Sequence, residues 1–406
     1  MSSDGAADMS TMSFKIASKA QRARHGLLRL PHSDVKTPVF MPVGTQGTMK
    51  GVLPEQLIDM DCRILLCNTY HLGHRPGHEL VKKAGGVHKM MNWPRSILTD
   101  SGGFQIVSLS KLMTLDEEGV NFESPHTGEM TKMPPEMSIE IQEALGADIV
   151  MQLDHVVHAL TTGPIVGEAM ERSVRWLDRC TEAHKRTDQT LFPIIQGGLD
   201  LKLREKCVVE MGKRAKVGIA IGGLSGGESK DDFWRVVATC CEQLDITRSE
   251  LPRYVMGIGF ATDLVICSLL GADMFDCVYP TRTARFGTAL VRKGGLLHLN
   301  QNKYKKDFRP IDEDCECFTC KNHNRAYLHA VIGKESVSCH LLSIHNIKYQ
   351  LDLMERVRQS IDADCVEQFL NEFLTENYPN GDIPQWVRDA AEHMGYRVKR
   401  EEPLAN

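Results

Sequence analysis

The sequence predicts an α/β fold, a (β/α)8 barrel with a small cysteine-rich subdomain inserted into it or appended to it. Three observations carry this prediction: eight short apolar runs, helical patterns between many of them, and a change of composition after residue 290. The chain has 406 residues, which is enough for a barrel of about 250 residues and a smaller attachment.

The eight apolar runs are near-continuous, and most of them end in glycine or a polar residue. Continuous apolar runs are typical of parallel strands that are covered on both faces, whereas a half-exposed strand alternates. In chain order the runs are PVFMPVG (38–44), ILLCN (64–68), ILTDSGG (97–103), DIVMQLD (148–154), LFPIIQGG (191–198), GIAIGGL (218–224), RYVMGIG (253–259) and MFDCVYP (274–280).

Helical patterns separate many of these runs. Residues 134–147 begin with proline and end near a glycine, and residues 166–186 have an apolar period of about 3.6. Segment 200–215 opens with Asp and segment 262–272 opens with Thr-Asp, residues that favour helix N-caps. Strands and helices alternating over about 240 residues fit a (β/α)8 barrel. A doubly wound open sheet is the alternative, although it usually has fewer strands.

Two regions depart from this alternation. VNFESPHTGEMTKM (120–133) predicts a hairpin around Thr127-Gly128, inserted in a loop. After residue 290 come the cysteine-dense CECFTC (315–320) and two helical patterns, 346–361 and 363–378. We therefore expect a disordered N-terminal tail at 1–13, the barrel at 14–290, the subdomain with closing helices at 291–385, and a C-terminal tail at 386–406.

Composition limits the class of protein. The net charge is −5, whereas nucleic-acid-binding domains are usually basic, so any site for a polyanion must be a local patch. Thirteen cysteines without a secretory apolar segment favour a reducing compartment over a disulfide framework. No apolar run reaches the ~18 residues of a membrane span. Segment 15–26 is basic like a transit peptide, but Asp4 and Asp8 weaken that interpretation.

Cys315, Cys317 and Cys320 have the spacing C-x-C-x2-C, which lets three thiolates share one tetrahedral ion such as zinc. A fourth ligand is needed, and the downstream candidates are His323, His329, Cys339, His340 and His345. Free cysteines in a surface loop are the alternative, but the charged flanks favour a metal site. A site closed by three thiolates and an imidazole is structural, not catalytic.

Polar residues follow several of the predicted strands, and barrels gather their chemistry at that rim. Asp100, Asp154, Asp276 and Gln196 occupy such positions. Each acid has an ordinary alternative, as a turn former, a helix cap or an arginine partner. Two carboxylates across a glycosidic carbon can open that bond, and a third acid with an amide can recognise a purine-like base. Arg282 and Arg285, just past Asp276, suit phosphate or base contacts through their planar guanidinium groups.

The sequence resembles the tRNA-guanine transglycosylases, and among them the catalytic subunits of the eukaryotic members, from about residue 14 to 380. The resemblance lies in the cysteine cluster and in FMPVGTQGTMKG (40–51), NTYHLGHRPG (68–77), TDSGGFQ (99–105), QLDH (152–155), IIQGG (194–198), GGLSGGE (222–228), MGIGFATDL (256–264) and FDCVYPTRTARFG (275–287). It implies the same barrel with a zinc subdomain, and exchange of guanine for queuine at wobble position 34 of tRNAs with GUN anticodons.

By matching position, the resemblance implies that Asp276 attacks C1′ of the guanosine and forms a covalent tRNA–enzyme intermediate. Asp100 is implied as the acid/base that accepts a proton from the incoming base. The implied base-binding residues are Ser101, Gly102, Gly103, Phe104, Asp154, Gln196, Gly223, Gly226 and Met256. The implied RNA contacts are Gly257, Ile258, Gly259, Phe260, Ala261, Thr262, Asp263, Thr281, Arg282, Thr283, Ala284 and Arg285. The implied structural zinc ligands are Cys315, Cys317, Cys320 and His345.

The resemblance also implies partners. These are the tRNAs for Asp, Asn, His and Tyr, queuine itself, and a homologous non-catalytic subunit in a heterodimer, with a homodimer as the alternative. Gly226 replaces a larger side chain that is usual in bacterial members, which leaves space for the cyclopentenediol of queuine instead of its smaller precursor. A cytoplasmic location, with association at the mitochondrial outer membrane, is a family-level expectation.

Two other functions remain open at this point. The chain could be a non-catalytic partner subunit of the same family, but Asp100, Asp154 and Asp276 are all present. It could also be a small-molecule glycosidase on the same barrel, but the arginines beside Asp276 and the cysteine subdomain count against that function.

Overall fold

The computed structural model describes residues 12–109, 113–123 and 128–399, and for 107–109 it describes the backbone alone. The strands in chain order are β1 (Ser13–Ala20), β2 (Ala23–Arg29), β3 (Asp34–Thr37), β4 (Val39–Pro42), β5 (Ile64–Cys67), β6 (Ser96–Thr99), β7 (Met113–Leu115), β8 (Val120–Glu123), β9 (Met130–Met133), β10 (Ile149–Met151), β11 (Thr190–Phe192), β12 (Ile194–Ile195), β13 (Ile219–Ile221), β14 (Arg253–Val255), β15 (Met274–Cys277), β16 (Thr288–Val291) and β17 (Gly295–His298).

The helices occupy the segments between and after these strands. In chain order they are α1 (Pro54–Asp59), α2 (Thr69–Leu72), α3 (His78–Lys83), α4 (Val87–Met91), α5 (Gly103–Leu109), α6 (Pro135–Leu145), α7 (Pro164–Ala183), α8 (Leu201–Arg214), α9 (Lys230–Thr247), α10 (Ala261–Leu269), α11 (Tyr279–Arg285), α12 (Phe318–Asn322), α13 (Arg325–Val331), α14 (Val337–Asp362), α15 (Val366–Asn377) and α16 (Gln385–His393). No helix in the described ranges is both long and apolar enough to cross a bilayer.

The parallel strands close into a barrel. β5, β6, β10 and β11 are neighbours in that order, as are β12, β13, β14, β15 and β4. Pro193, which has no N–H to donate, separates β11 from β12 within one continuous strand. The ring closes where the N–H of Gly44, just past β4, donates to the carbonyl of Leu66 on β5 at 2.7 Å. The predicted (β/α)8 barrel is confirmed, and an open sheet is excluded because the strand neighbours form a closed circuit.

The barrel interior is a packed apolar core. Each of its strands contributes at least one residue to a single buried cluster, namely Met41, Leu66, Leu98, Met151, Ile194, Ala220, Tyr254 and Met274. Leu28 and Val35 of the antiparallel sheet β1-β2-β3 join the same cluster. Because the interior is filled, a substrate can reach polar side chains only at the rim.

Helix caps agree with the sequence at one of two predicted sites. The Asp200 carboxylate accepts the N–H groups of Lys202 at 2.9 Å and Leu203 at 3.1 Å, so its role as the N-cap of α8 is confirmed. The prediction that Thr262-Asp263 caps the next helix is wrong. α10 begins at Ala261, behind Phe260, and Asp263 bonds the Lys230 ammonium instead.

The predicted hairpin insertion is present as β8 and β9, with Glu123 opposite Met130 and β7 as a third strand. Thr127 of the expected turn lies outside the described residues. The two helical patterns at 346–361 and 363–378 are the last part of α14, which begins earlier at Val337, and α15.

The cysteine-rich subdomain lies between the last barrel strand and the helix that packs beside it. β16, β17, α12 and α13 follow β15, and the chain then returns along the barrel as α14, which packs against β4, α10 and α11. In the segment 386–406, α16 buries Val387, Ala390 and Ala391 in the core beside α9. The expected boundaries of tails, barrel and subdomain stay predictions.

Candidate active site and metal centre

The predicted polar residues meet at the carboxyl ends of the barrel strands. Asp100 directly follows β6, Gln196 directly follows β12, Asp154 lies just past β10, and Asp276 lies within the last half of β15. In a closed parallel barrel these ends form one rim. The structure therefore brings the three acids and the glutamine to the same end of the molecule.

Asp100 is buried and is held by neutral donors. Its carboxylate accepts hydrogen bonds from the Asn68 side-chain amide at 2.5 Å and from the Thr69 N–H at 2.8 Å. Burial raises the pKa of Asp100 to about 6; these hydrogen bonds oppose that rise, and the charge of Asp276 adds to it. A carboxyl group with a pKa near neutrality can both accept and return a proton at physiological pH.

Asp276 is half-buried and is held from one side. The Tyr254 hydroxyl donates to Oδ1 at 2.6 Å, and the Gly257 N–H donates to the same oxygen at 2.8 Å. Burial raises the pKa of Asp276, while both hydrogen bonds lower it. Among the described residues, the second carboxylate oxygen has no hydrogen-bond partner and no arginine forms an ion pair with this acid. That arrangement suits a nucleophile, which needs a fixed position and a lone pair left for attack.

Asp154 and Gln196 form a buried polar pair beside Ser101. The Gln196 amide donates to Oδ2 of Asp154 at 2.6 Å, and the Ser101 hydroxyl donates to Oδ1 at 3.4 Å. Burial raises the pKa of Asp154 to about 6, against these two hydrogen bonds. Buried polar groups this close to the rim can present a fixed donor and acceptor pattern to a flat base.

Gly223 is required at its position, because its φ is +70° and a Cβ there would lie 2.3 Å from Oε1 of Gln196. The fully buried Arg204 fixes the backbone next to Gln196 and Gly223, because its guanidinium group donates to the carbonyls of Ile195 at 2.9 Å and Gly222 at 2.8 Å. A Cβ at Gly226 would lie 2.9 Å from Cβ of Ala159, so a larger residue there must displace the Ala159 loop.

The residues predicted to contact RNA divide into exposed and buried groups. Gly257, Phe260, Arg282 and Arg285 are exposed, and Phe260 retains 54% of its surface. Ala261, Thr262 and Thr283 are partly exposed. The side chains of Ile258, Asp263, Thr281 and Ala284 are buried, as is the backbone of Gly259, so these positions shape the surface from below.

Of the remaining base-pocket residues, Phe104 is exposed and Met256 is half-buried, with its sulfur 3.5 Å from where a Cβ of Gly222 would lie. Gly102 and Gly103 are buried, and the Gly103 N–H donates to the Ser101 hydroxyl at 3.3 Å. These residues continue the rim between Asp100 and Asp154.

Three further residues of the site are not predicted by the sequence. Tyr254 lies inside a predicted apolar strand, and Asn68 lies at the end of one, so neither pattern indicates a functional role. Lys50 lies on the loop after β4, where burial and the charges of Arg285 and Arg282 lower its pKa. Neither Lys50 nor those two arginines forms an ion pair with a carboxylate in the described part of the chain. These three cations influence one another and have no carboxylate partner among the described residues, so they form a local positive patch on a chain whose net charge is negative.

The cysteine cluster has the geometry of a metal centre. The Sγ atoms of Cys315, Cys317 and Cys320 lie 3.6, 3.6 and 3.3 Å from Nδ1 of His345. Tetrahedral zinc with its usual bond lengths places sulfur and nitrogen ligands about 3.6 Å apart. Nε2 of His345 bonds the Leu290 carbonyl at 2.7 Å, which can only accept, so the proton is on Nε2 and Nδ1 is left for a metal.

The other candidates for fourth ligand have different contacts. Nδ1 of His329 bonds the Leu299 carbonyl at 2.8 Å, His340 bonds the Gly51 carbonyl, and His323 stacks on Tyr327. Of the histidines considered as fourth ligand, His345 is therefore the one that completes, with Cys315, Cys317 and Cys320, a cluster that can hold a metal ion.

Comparison with known proteins gives a consistent result. The model of the family described as queuine tRNA-ribosyltransferase matches residues 19–379. The chain is 70% identical to the queuine tRNA-ribosyltransferase catalytic subunit of Caenorhabditis elegans over 401 residues, covering 95% of this chain and 100% of that protein. It is 50% identical to the protein of the same name in Schizosaccharomyces pombe over 398 residues, covering 95% and 97%. It is 44% identical to the queuine tRNA-ribosyltransferase of Caldanaerobacter subterraneus over 376 residues, covering 92% and 99%.

Proposed function

The chain belongs to the queuine tRNA-ribosyltransferase family, and from this premise we propose that it exchanges guanine at wobble position 34 of GUN-anticodon tRNAs for queuine. It is a tRNA-guanine transglycosylase, an enzyme of the pentosyltransferase class. The observation that supports the proposed mechanism most directly is the pair of rim acids, Asp100 and Asp276: the charge of Asp276 helps to raise the pKa of Asp100, and their hydrogen-bond partners differ.

In the first half of the reaction, a carboxylate oxygen of Asp276 attacks C1′ of the ribose. The C1′–N9 bond breaks, and guanine leaves with a proton supplied by Asp100, which is thereby deprotonated for the second half. In the second half, Asp100 accepts the N9 proton of queuine, N9 attacks C1′, and the ester to Asp276 breaks. Atoms and charges balance without any further reactant. The raised pKa of Asp100, about 6, suits this proton transfer near neutral pH.

Base recognition is assigned to the pocket built from Asp154, Gln196 and Gly223, with Ser101, Gly102, Gly103, Phe104, Gly226 and Met256 around it. The target nucleotide must leave its stack to reach this rim, which costs less in a single-stranded anticodon loop than in a duplex. Exchange rather than hydrolysis requires that water be excluded while one base leaves and another enters.

The cysteine cluster is proposed to hold structural zinc. Its donor set and spacing fit that ion, and all four positions are taken by protein ligands, so zinc would fix the subdomain fold and no reaction step passes through it.

Partners and location are also proposals. The tRNA substrates are those for Asp, Asn, His and Tyr. The assembly is a heterodimer with a homologous non-catalytic subunit, since the C. elegans and S. pombe relatives are named catalytic subunits. A homodimer is the alternative, and light scattering of the purified chain with and without that subunit distinguishes the two. The proposed location is the cytoplasm, including the outer surface of mitochondria.

A covalent trap tests the reaction. Incubation with tRNA carrying guanine at position 34 should give a protein–tRNA adduct that survives denaturing electrophoresis. Asp276→Asn should abolish both adduct and exchange while retaining tRNA binding, and Asp188→Asn, which removes an Arg186 ion pair at the opposite end of the barrel, should change neither. If the unmodified protein gives neither adduct nor exchange, the chain is instead a non-catalytic subunit. In a separate assay, displacement of labelled guanine by queuine and by its smaller precursor ranks the incoming bases.

A further inference from the structure

Lys230 and Asp263 form an ion pair that joins two parts of the rim. The Lys230 ammonium donates to Oδ2 of Asp263 at 2.5 Å, and the Asp263 side chain is only 5% exposed. Lys230 is the first residue of α9, and Asp263 lies in the first turn of α10. The pair therefore ties together the starts of two helices that follow neighbouring barrel strands, β13 and β14.

Three aromatic rings lie within 6 Å of the ammonium group, although the Lys230 side chain stays 43% exposed. Nζ of Lys230 lies 4.9 Å from the ring centroid of Phe233, 5.5 Å from Phe260 and 5.9 Å from Trp386. Phe260 in turn packs on Tyr279, with centroids 4.5 Å apart. A cation among ring faces is attracted by their quadrupoles, so one side chain fixes α9, the segment before α10, and α16 together.

The segments that lead into α9 and α10 position the residues proposed to bind the base and to attack the ribose. The loop 222–228 ends at Glu228, whose carboxylate accepts the N–H groups of Ser225 at 2.6 Å and Gly226 at 2.8 Å. The segment 257–263 begins with Gly257, whose N–H holds Asp276. The direct link between these segments is a weak hydrogen bond, from the Ser225 hydroxyl to the Gly257 carbonyl at 3.4 Å. The stronger connection runs behind the rim, through Lys230.

We propose that Lys230 is a positioning residue for the exchange reaction, which ties the segment that holds the nucleophile to the loop that borders the base. By bonding Asp263 and contacting Phe260, it keeps the Gly257 N–H and Asp276 in register with Gly223 and Gly226. The base and the C1′ carbon of one nucleotide must meet these two segments at the same time, so a small displacement between them slows bond exchange. This role rests on the proposed function of the rim.

A single substitution cannot separate loss of positioning from loss of stability. Lys230→Met leaves the buried Asp263 carboxylate without its cation, which destabilises the fold by itself. The test variant is therefore the double substitution Lys230→Met/Asp263→Asn, which removes both charges and keeps both shapes. Lys230→Arg keeps the cation and should retain most of the rate. The matched control is Lys206→Met, which removes a lysine whose partner Glu171 is on the exposed surface of α7.

In steady-state exchange assays, the double variant should show kcat lowered roughly tenfold, with KM for tRNA changed less than threefold. The control should match the unmodified protein. Rates are expressed per folded molecule, after the melting temperature of each variant is measured. If the folded double variant keeps the unmodified kcat, the positioning role is wrong. If instead KM rises and the dependence of binding on log salt becomes shallower, Lys230 contacts RNA phosphate and the proposal is overturned.

A second measurement does not depend on catalysis. Amide hydrogen exchange, followed by mass spectrometry, should be faster in peptides covering 222–228 and 256–263 of the double variant, and unchanged in Lys206→Met. Unchanged exchange in 256–263 would overturn the proposal even if the enzyme were active. The two failures are distinguishable. If amide hydrogen exchange is faster in the double variant but the unmodified protein forms no adduct with tRNA, the mechanical link is supported and the proposed reaction is refuted.

Discussion

Asp100 and Asp276 are both carboxylates at one rim, yet their surroundings prepare them for different chemistry. Asp100 accepts from an amide and a backbone N–H and has a pKa of about 6, which suits proton exchange. Asp276 accepts a phenolic O–H and a backbone N–H on one oxygen, which leaves the other oxygen for attack. Two similar groups with different environments are a common way to separate the acid/base from the nucleophile.

Tyr254→Phe should slow the reaction by weakening control of Asp276. Loss of the 2.6 Å hydrogen bond removes one of two contacts that lower the pKa of Asp276. Because Asp276, as the proposed nucleophile, must act as a carboxylate, activity should rise as pH increases through this pKa. The variant should therefore move the acidic limb of the kcat/KM profile to higher pH and lower the plateau roughly tenfold. A pH series of guanine exchange measures both effects.

The buried site of Tyr254 makes phenylalanine a conservative control of packing. The melting temperature should change little, because the ring still fills the barrel interior. An acidic limb that stays in place would mean that the tyrosine does not stabilise the charged form of Asp276.

The rim acids are predictable from the sequence, because an acid directly after an apolar run is conspicuous. Tyr254 is not, because a phenol inside the run RYVMGIG resembles another core residue. Lys50 is not, because only the folded chain brings the loop after β4 near Arg282 and Arg285. Contacts between residues more than 200 positions apart leave no local pattern to read.

At the level of elements, apolar runs predicted every barrel strand, because a strand that is buried on both faces needs apolar residues at nearly every position. Caps were less predictable. Asp200 and Asp263 both sit near a helix start, but the first bonds its own helix and the second bonds Lys230 of another element. A carboxylate has several possible donors, and the nearest one in space is decided by tertiary packing.

Removal of metal should destabilise the subdomain before it affects chemistry. Cys315, Cys317 and Cys320 are held on the short α12 and its preceding turn, and His345 joins them from α14. A shared ion would join the three thiolates to that long helix, whereas without it the segment keeps the buried hydrogen bond from the Thr319 hydroxyl to the Leu341 carbonyl at 2.6 Å. Chelation should lower the melting temperature by several degrees, while the initial exchange rate measured at 25 °C before unfolding stays within about twofold.

The metal content of the purified protein gives the control. His345→Ala should reduce zinc to well below one equivalent and reproduce the lower melting temperature without chelator. His329→Ala, whose ring bonds the Leu299 carbonyl, should keep its zinc. An immediate fall in rate on chelation, with the fold intact, would contradict a purely structural metal.

For the whole molecule, the acidic net charge of −5 coexists with a cationic patch at the rim. Arg282→Ala should weaken tRNA binding and reduce the slope of log Kd against log salt by about one, because one phosphate contact is lost. Arg22→Ala, on the β1–β2 hairpin and paired with Glu242, should leave both values unchanged. If the slope of log Kd against log salt is the same in the two variants, Arg282 does not contact an RNA phosphate.

The opposite end of the barrel carries a separate charged network that should govern stability and not catalysis. Asp148, just before β10, bonds the Ile97 N–H at 2.8 Å, Nδ1 of His32 at 2.8 Å and Nε2 of His88 at 3.2 Å, and the two imidazoles stack 3.6 Å apart. Burial favours the neutral form of Asp148, but the hydrogen bonds and charges of His32 and His88 outweigh it and lower the pKa of Asp148 to about 2, while the hydrogen bond to Asp148 raises the pKa of His32.

Asp148→Asn should therefore lower the free energy of unfolding by about 2 kcal/mol without changing kcat at neutral pH. The Asp148 contribution is present above its unfolded pKa near 4 and is lost as pH falls towards 2. The His32 contribution is present below its unfolded pKa of 6.5 and is lost as pH rises through its higher folded pKa. The stability gap between the variant and the unmodified protein should be widest from about pH 4 to 6 and narrower on both sides. Urea unfolding across that range measures it, and a gap independent of pH would mean that packing, not charge, makes this end of the barrel stable.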